Sequence, residues 1–98
     1  MKTTKPSPPS HLTAGMQAFW RRLTRDYAFS PEHIRVLQLT CEQFDRAQAA
    51  RERIATDGML LGDKRHPLLG IEAKATELFM RGLRDLQLES EGGNAPTK

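Results

Sequence analysis

The longest segment without a helix-breaking residue governs what this chain can fold into. Ser30 and Pro31 form a strong helix start, because a serine hydroxyl caps backbone N–H groups and proline fits the first helical turn. After Pro31, neither glycine nor proline occurs until Gly58, and glycine commonly ends helices. The pattern predicts a helix over 31–57, which at about 1.5 Å per residue is roughly 40 Å long.

This helix is long for a chain of 98 residues. Residues 1–11 and 89–98 are expected to be disordered tails, because they are rich in proline, glycine and polar residues. Residues 12–88 are expected to form a single helical domain, and a globule of that size would be roughly 30 Å across. The helix would overhang such a globule, so we expect another subunit to cover its second half. A break near Ala49, giving a monomeric three-helix fold, is the alternative.

Two shorter amphipathic helices are predicted beside the long one. The first covers 14–27, where apolar residues recur at helical spacing. The other begins at Pro67, and Gly82 on its apolar side indicates that a neighbouring group packs closely there. Residues 59–65 are expected to form a short extended connection with a polar turn. The fold class is therefore all-α, a three-helix subunit with a long central helix, a helical hairpin core and flexible termini.

The apolar pattern of the long helix also predicts where another subunit binds. The pattern drifts around the helix axis, and its second half contains mostly small residues, which allow two helices to approach closely. We therefore predict an oligomer interface in this half. Its residues are Phe44, Ala47, Ala50 and Ile54.

Residue types that can perform catalysis are present, but their spacing does not favour it. His11, His33 and His66 are too far apart in sequence for a metal-ligand motif. Cys41 lies on the apolar stripe of the long helix without a neighbouring histidine. Nearly all carboxylates on the helices have a basic residue within one turn, as on solvated surfaces, and there is no glycine-rich phosphate loop. We expect no catalytic residue, no metal site and no cofactor, and therefore no enzyme.

Positive charge is concentrated at the N-terminal end of the chain. The formal net charge is +3, yet residues 28–98 contain ten basic and eleven acidic side chains. The excess therefore lies in residues 1–27, on the tail and on the outer face of the first helix. We predict that these basic residues would contact DNA phosphates, without base-specific readout. They are Lys2, Lys5, Arg21, Arg22 and Arg25.

The sequence predicts a cytoplasmic protein that does not enter a membrane. No apolar run approaches the roughly 18 residues of a membrane span, and the N-terminal segment has no hydrophobic signal-peptide run. The single cysteine cannot form an internal disulfide, which is consistent with a reducing compartment.

The order of these features resembles the short small subunits of tailed-phage DNA-packaging terminases. The residues that carry the resemblance are PPSHL, FWRRLTRDY at 19–27, LQLTCEQFDRAQAARERIATDGM at 37–59 and HPLLGIEAKATELFMRGLRDLQL at 66–88. They correspond to a Trp-bearing first helix, a long middle helix with a glycine stop, and a last helix opened by His-Pro. The connector at 60–65 is shorter than the hairpin-like segment typical of this family, and the Pro-and-Arg stretch that commonly follows the last helix is missing.

The resemblance implies a non-catalytic component of a bacteriophage packaging motor in the host cell cytoplasm. Such a protein forms a homo-oligomeric ring, binds double-stranded DNA, delivers it to the large terminase subunit and modulates that ATPase and nuclease. A ring would also multiply weak phosphate contacts by avidity. The alternative is a helical scaffold or head-assembly adaptor that uses the long helix to oligomerise and does not bind DNA.

Overall fold

The computed structural model describes residues 6–87, and residues 1–5 and 88–98 lie outside the described part. The elements are α1 (Ala14–Asp26), α2 (Pro31–Asp57), β1 (Leu60–Leu61), β2 (Lys64–Arg65) and α3 (Leu68–Asp85). The predicted all-α fold with a long central helix is confirmed, and only the two short strands depart from it. None of the helices in this described part combines the length and apolar character needed to cross a membrane.

α2 is one continuous helix with the predicted ends. The Ser30 hydroxyl accepts a hydrogen bond from the backbone N–H of His33 at 3.1 Å, which caps the start of the helix. Gly58 follows the last turn with φ 88, and its N–H donates to the carbonyl four residues earlier at 2.7 Å. The helix contains 27 residues without interruption, so the alternative of a break near Ala49 is wrong.

α3 packs antiparallel along α2 from Thr40 to Arg51 and forms a helical hairpin with it. The facing pairs are Arg51 with Glu72, Phe44 with Phe79 and Thr40 with Gly82. Ala75 of α3 lies within this contact and is 1 % exposed. Small residues on both helices therefore let the two backbones approach closely.

This packing gives Ala47 and Ala50, two of the residues predicted to bind a second subunit, a partner within the same chain. The residues predicted for that interface are Phe44, Ala47, Ala50 and Ile54, and binding of a second subunit at the half-buried Phe44 and Ile54 stays a prediction. Ala47 and Ala50 are each 4 % exposed within a single chain, and the Phe44 ring contacts Phe79 of α3 at a centroid distance of 5.2 Å. The partner that the small residues require is α3 of the same chain, because a stripe of small residues favours a close helix without identifying which one.

α1 lies against the first half of α2, and the main core forms where α1, α2 and the end of α3 meet. The buried core residues are Leu12, Met16, Trp20, Leu23, Leu37, Cys41 and Leu86. Trp20 is 2 % exposed, and Leu37 and Cys41 are fully buried. The cluster combines side chains from α1, α2 and the end of α3. Because burial of each large apolar side chain stabilises the fold by about 1.5–3 kcal/mol, the cluster holds the three helices together.

Residues 6–11, assigned to the tail from their composition, contact the helices. The indole Nε1 of Trp20 donates to the carbonyl of Pro6 at 3.0 Å, and His11 Nε2 lies 2.7 Å from the Glu42 carboxylate. The indole group needs a polar partner because the ring is buried, and the backbone of this segment supplies it. The predicted disorder of residues 1–5 falls outside the described part.

The connector between α2 and α3 is a tight β-hairpin, which contains the extended residues and the polar turn predicted for 59–65 but adds strand pairing that the sequence interpretation did not predict. The antiparallel pairs are Leu60 with Arg65 and Leu61 with Lys64. Gly62 has φ 69, as required at the first central position of a type II′ turn. A Gly-Asp dipeptide between two short strands is a known hairpin signal, which the sequence interpretation did not use.

His66 joins the end of α2 to the start of α3. It is 4 % exposed, and its Nδ1 lies 3.1 Å from the backbone N–H of Leu68. Because that N–H can only donate, Nδ1 carries no proton, and Nε2 therefore donates to Asp57 Oδ2 at 2.9 Å. A neutral imidazole thus satisfies a backbone group at the start of α3 and binds the last residue of α2.

Candidate nucleic-acid interface

The outer face of α1 carries the arginines that the sequence predicts as phosphate contacts. Burial of Met16, Trp20 and Leu23 against the core turns the opposite side of the helix toward solvent. The exposed residues there include Arg21, Arg22 and Arg25. The predicted basic face is therefore present, while its contact with DNA stays a prediction.

Arg21 and Arg22 present their charges without a carboxylate partner within residues 6–87. The Arg22 guanidinium lies over the Phe19 ring, with Cζ 5.7 Å from the ring centroid. Such a cation–π contact is worth about 0.5–1 kcal/mol at an exposed site, and it orients the side chain without neutralising it. Arg21 makes a long hydrogen bond to Gln17 at 3.5 Å. Both guanidinium groups can therefore donate to a phosphate.

Arg25 differs because it has a neighbouring acid. Its Nε donates to Asp26 Oδ1 at 3.0 Å, and this hydrogen bond and the charge of Asp26 raise the pKa of Arg25. The two side chains are 67 % and 48 % exposed, so their ion pair contributes little to stability. A phosphate can therefore compete with Asp26 for this guanidinium at small cost.

Several cations of the α2–α3 hairpin are engaged in ion pairs instead. The pairs are Arg51 with Glu72 at 2.7 Å, Arg53 with Asp57 at 3.0 Å and Arg81 with Glu77 at 3.5 Å. The hydrogen bond from Arg51 is the main cause that lowers the pKa of Glu72. These arginines are thus less available to a phosphate than Arg21 and Arg22.

The sequence interpretation missed a second pair of exposed cations, Lys64 and Arg65 on β2. Cross-strand neighbours project from the same face of a hairpin, so Lys64 lies beside Leu61 and Arg65 beside Leu60. Both leucines are exposed, at 45 % and 60 %. The Gly-Asp turn was the signal that could have located this pair, because it fixes the register of the hairpin.

Lys2 and Lys5, the remaining predicted phosphate contacts, lie outside the described residues. The described chain begins at Pro6, whose carbonyl is bonded to Trp20 of α1. Trp20 and Phe19 face the core rather than a ligand, since Trp20 is 2 % exposed and Phe19 packs against the buried cluster.

The one thiol of the chain is chemically quiet. Cys41 is fully buried, and burial, together with the nearby Asp45 and Glu42, raises the pKa of its thiol to about 12. The thiol therefore stays protonated at neutral pH and does not act as a nucleophile. Among residues 6–87, no cluster of three or more histidine, cysteine, aspartate or glutamate side chains could hold a metal ion.

Comparison with known protein families, with curated proteins and with solved structures finds no match to this chain.

Proposed function

We propose that this protein is the small subunit of a tailed-phage DNA-packaging terminase. In this role it forms a homo-oligomer, binds double-stranded DNA in the host cell cytoplasm, delivers it to the large terminase subunit and modulates that enzyme. The observation that carries the proposal is the exposed arginine face of α1, opposite a helix side that is buried in the core. The resemblance of residues 19–88 to the small-subunit family supports it.

The arrangement suits recognition of the DNA backbone. The core fixes α1, so the arginines begin from a defined orientation and lose little freedom of the main chain on binding. Guanidinium groups form paired hydrogen bonds with phosphate, and such contacts carry no sequence information by themselves. The protein therefore recognises the charge and shape of the duplex rather than base edges.

Avidity makes a few contacts per subunit sufficient. Each phosphate contact changes the slope of log K against log salt concentration by roughly −0.9, so three arginines account for a slope of about −3. Linking several subunits in one assembly converts later contacts into intramolecular events and strengthens binding without new contacts. Lys2 and Lys5 would add to the same basic surface.

A salt titration of duplex DNA binding, followed by fluorescence anisotropy, tests the proposal. The variant Arg21→Ala/Arg22→Ala/Arg25→Ala should bind weakly and lose most of the salt dependence. The matched control is Arg35→Ala/Arg53→Ala/Arg84→Ala, which removes the same charge from exposed arginines elsewhere. The control should keep most of the affinity.

Each other outcome has a defined meaning. Equal loss in both triple variants would show that net charge, and not the α1 face, binds DNA. If the wild-type protein oligomerises but shows no salt-dependent DNA binding, the scaffold or adaptor alternative replaces the terminase role. ATP hydrolysis by the purified chain alone would contradict its non-catalytic character.

A further inference from the structure

The face of the α2–α3 hairpin that lies away from α1 contains a shallow apolar groove. Residues two positions apart on a helix point about 200° apart, so Leu39 and Gln43 lie roughly opposite Leu37 and Cys41, which are buried in the core shared with α1. Two adjoining depressions of about 280 and 220 Å³ form this groove, and both are lined by Gln43 and Leu78. Gln43 and Leu78 therefore mark its centre.

Apolar side chains are exposed toward both ends of the groove. Leu39 lines one depression and is 55 % exposed, while Ile71 lines the other and is 39 % exposed. Single exposed apolar residues are common, but a continuous apolar groove with a polar rim is typical of a protein-binding surface. Within residues 6–87, α1 and α3 occupy the other sides of α2 and leave this face open.

The balance of charge on the rim differs between its two ends. Lys74 and Arg46 line the depression near the start of α3, whereas Asp85 and Arg81 line the depression at its end, and Arg81 is already paired with Glu77 at 3.5 Å. Asp85 has no ion pair within residues 6–87, and the nearest carboxylate to Lys74 is the exposed Glu77 at 3.6 Å. The midpoint between Lys74 and Asp85 along α3 falls between Phe79 and Met80, about 2 Å along the helix axis from Leu78.

We propose that this groove binds a second copy of the same chain, packed antiparallel about a two-fold axis near Leu78. The antiparallel arrangement reverses the order of the rim charges, so Lys74 of each copy lies beside Asp85 of the partner subunit. A parallel arrangement would instead place like charges together. Apolar side chains would thus face apolar side chains, and Lys74 would face Asp85 at both symmetric ends, as a self-complementary two-fold interface requires.

This inference rests on the homo-oligomeric part of the proposed function and deepens it by naming the contact surface. A two-fold contact closes at two copies, so the dimer is the unit from which a larger ring would be assembled through a second contact. DNA binding is not required for the dimer, and the two properties can be measured separately.

Sedimentation equilibrium of the full chain, with a reciprocal charge exchange, tests the interface. The single variants Asp85→Lys and Lys74→Glu place like charges across both symmetric contacts, so each should raise the dimer dissociation constant by roughly tenfold. The double variant restores opposite charges in exchanged positions and should return to within about threefold of the wild type. Arg84→Glu, on α3 but outside the groove, is the matched control and should have little effect.

Misfolding is not expected to obscure the result. Both side chains are on the helix surface, and Asp85→Lys places a cation at the helix C-terminus, where the helix dipole favours it. Circular dichroism checks that the helices remain.

Unchanged dimerisation in both single variants, or no recovery in the double variant, would overturn the interface while leaving the proposed function intact. A wild-type chain that stays monomeric would overturn the interface and the oligomeric part together, whereas loss of DNA binding alone concerns only the α1 face.

Discussion

Replacing Gly82 by alanine tests how closely α2 and α3 pack. A Cβ at this position would lie 2.9 Å from both Cβ and Cγ2 of Thr40, closer than such atoms approach in proteins, and it would overlap the Thr40 hydroxyl as well. Thr40 cannot easily turn away, because its hydroxyl donates to the carbonyl of Val36 at 2.7 Å and a β-branched side chain has few allowed rotamers in a helix. Alanine at Gly82 therefore forces the two helices apart.

Two opposing effects determine how much Gly82→Ala changes the free energy of unfolding. Overpacking of a close contact costs about 1–3 kcal/mol, while alanine in place of glycine within a helix returns about 1 kcal/mol. The net expectation is destabilisation by up to about 2 kcal/mol, and each kcal/mol lowers the melting temperature of a domain of this size by roughly 4–8 °C. Urea unfolding followed by the fluorescence of Trp20, the single tryptophan, measures this difference.

The same helix supplies the control. Gly70 is exposed, and a Cβ there would meet nothing within 4 Å, so Gly70→Ala should stabilise the fold by about 0.5–1 kcal/mol. Adding Thr40→Ala to Gly82→Ala removes two of the three clashing atoms and should recover most of the loss. If Gly82→Ala is as stable as Gly70→Ala, the helices are not in the close contact described, and the reasoning is refuted.

Two further predictions concern the connection between α2 and α3. His66→Asn keeps a hydrogen-bond acceptor for the Leu68 N–H, whereas His66→Ala removes it. In thermal melts His66→Asn should therefore be more stable than His66→Ala by roughly 1 kcal/mol, the usual contribution of a helix cap. Equal stability of the two variants would mean that this hydrogen bond contributes nothing. The pKa of Asp57 is lowered mainly by the hydrogen bond from His66 and then by Arg53, and the pKa of Glu72 is lowered mainly by Arg51. The stability that these carboxylates provide is therefore fully present above their ordinary pKa values of 3.8 and 4.5. It is lost as the pH falls through the lower pKa values that the carboxylates have in the folded protein. The urea concentration at the unfolding midpoint should fall in this acid range, and it should fall less in Asp57→Asn than in the wild type. Identical dependence of the midpoint on pH in the wild type and Asp57→Asn would contradict the role of Asp57.

Local signals explain why the ends of the helices could be predicted. Ser30, Pro31 and Gly58 act within one turn of their own positions, so the bounds of α2 follow from neighbouring residues alone. Gly82 could be identified as a close contact for the same reason, because a glycine on an apolar helix face is costly without one. The arginines of α1 are exposed as predicted, since a buried stripe determines the opposite face of a helix.

The partner of the second half of α2 depends instead on long-range geometry. The size comparison assumed a roughly spherical domain, whereas the molecule measures 60 × 30 × 18 Å along its principal axes and so accommodates a helix of about 40 Å. The tight turn at Gly62 returns the chain directly alongside α2, which lets α3 cover Ala47 and Ala50. The predicted helical hairpin core does not specify which part of α2 the last helix covers, so the sequence alone cannot distinguish α3 from another subunit as the partner of Ala47 and Ala50.

The positions of the two proposed surfaces determine how they would act together. The groove and α1 lie on opposite sides of α2, so a second copy in the groove leaves Arg21, Arg22 and Arg25 uncovered in both subunits. The two basic faces of such a dimer point outward in opposite directions, and a short straight duplex can reach only one of them. Avidity for DNA therefore cannot arise within one dimer on short DNA. It requires either a duplex long enough to bend around the dimer or a larger assembly that aligns several α1 faces along one surface, as a ring does.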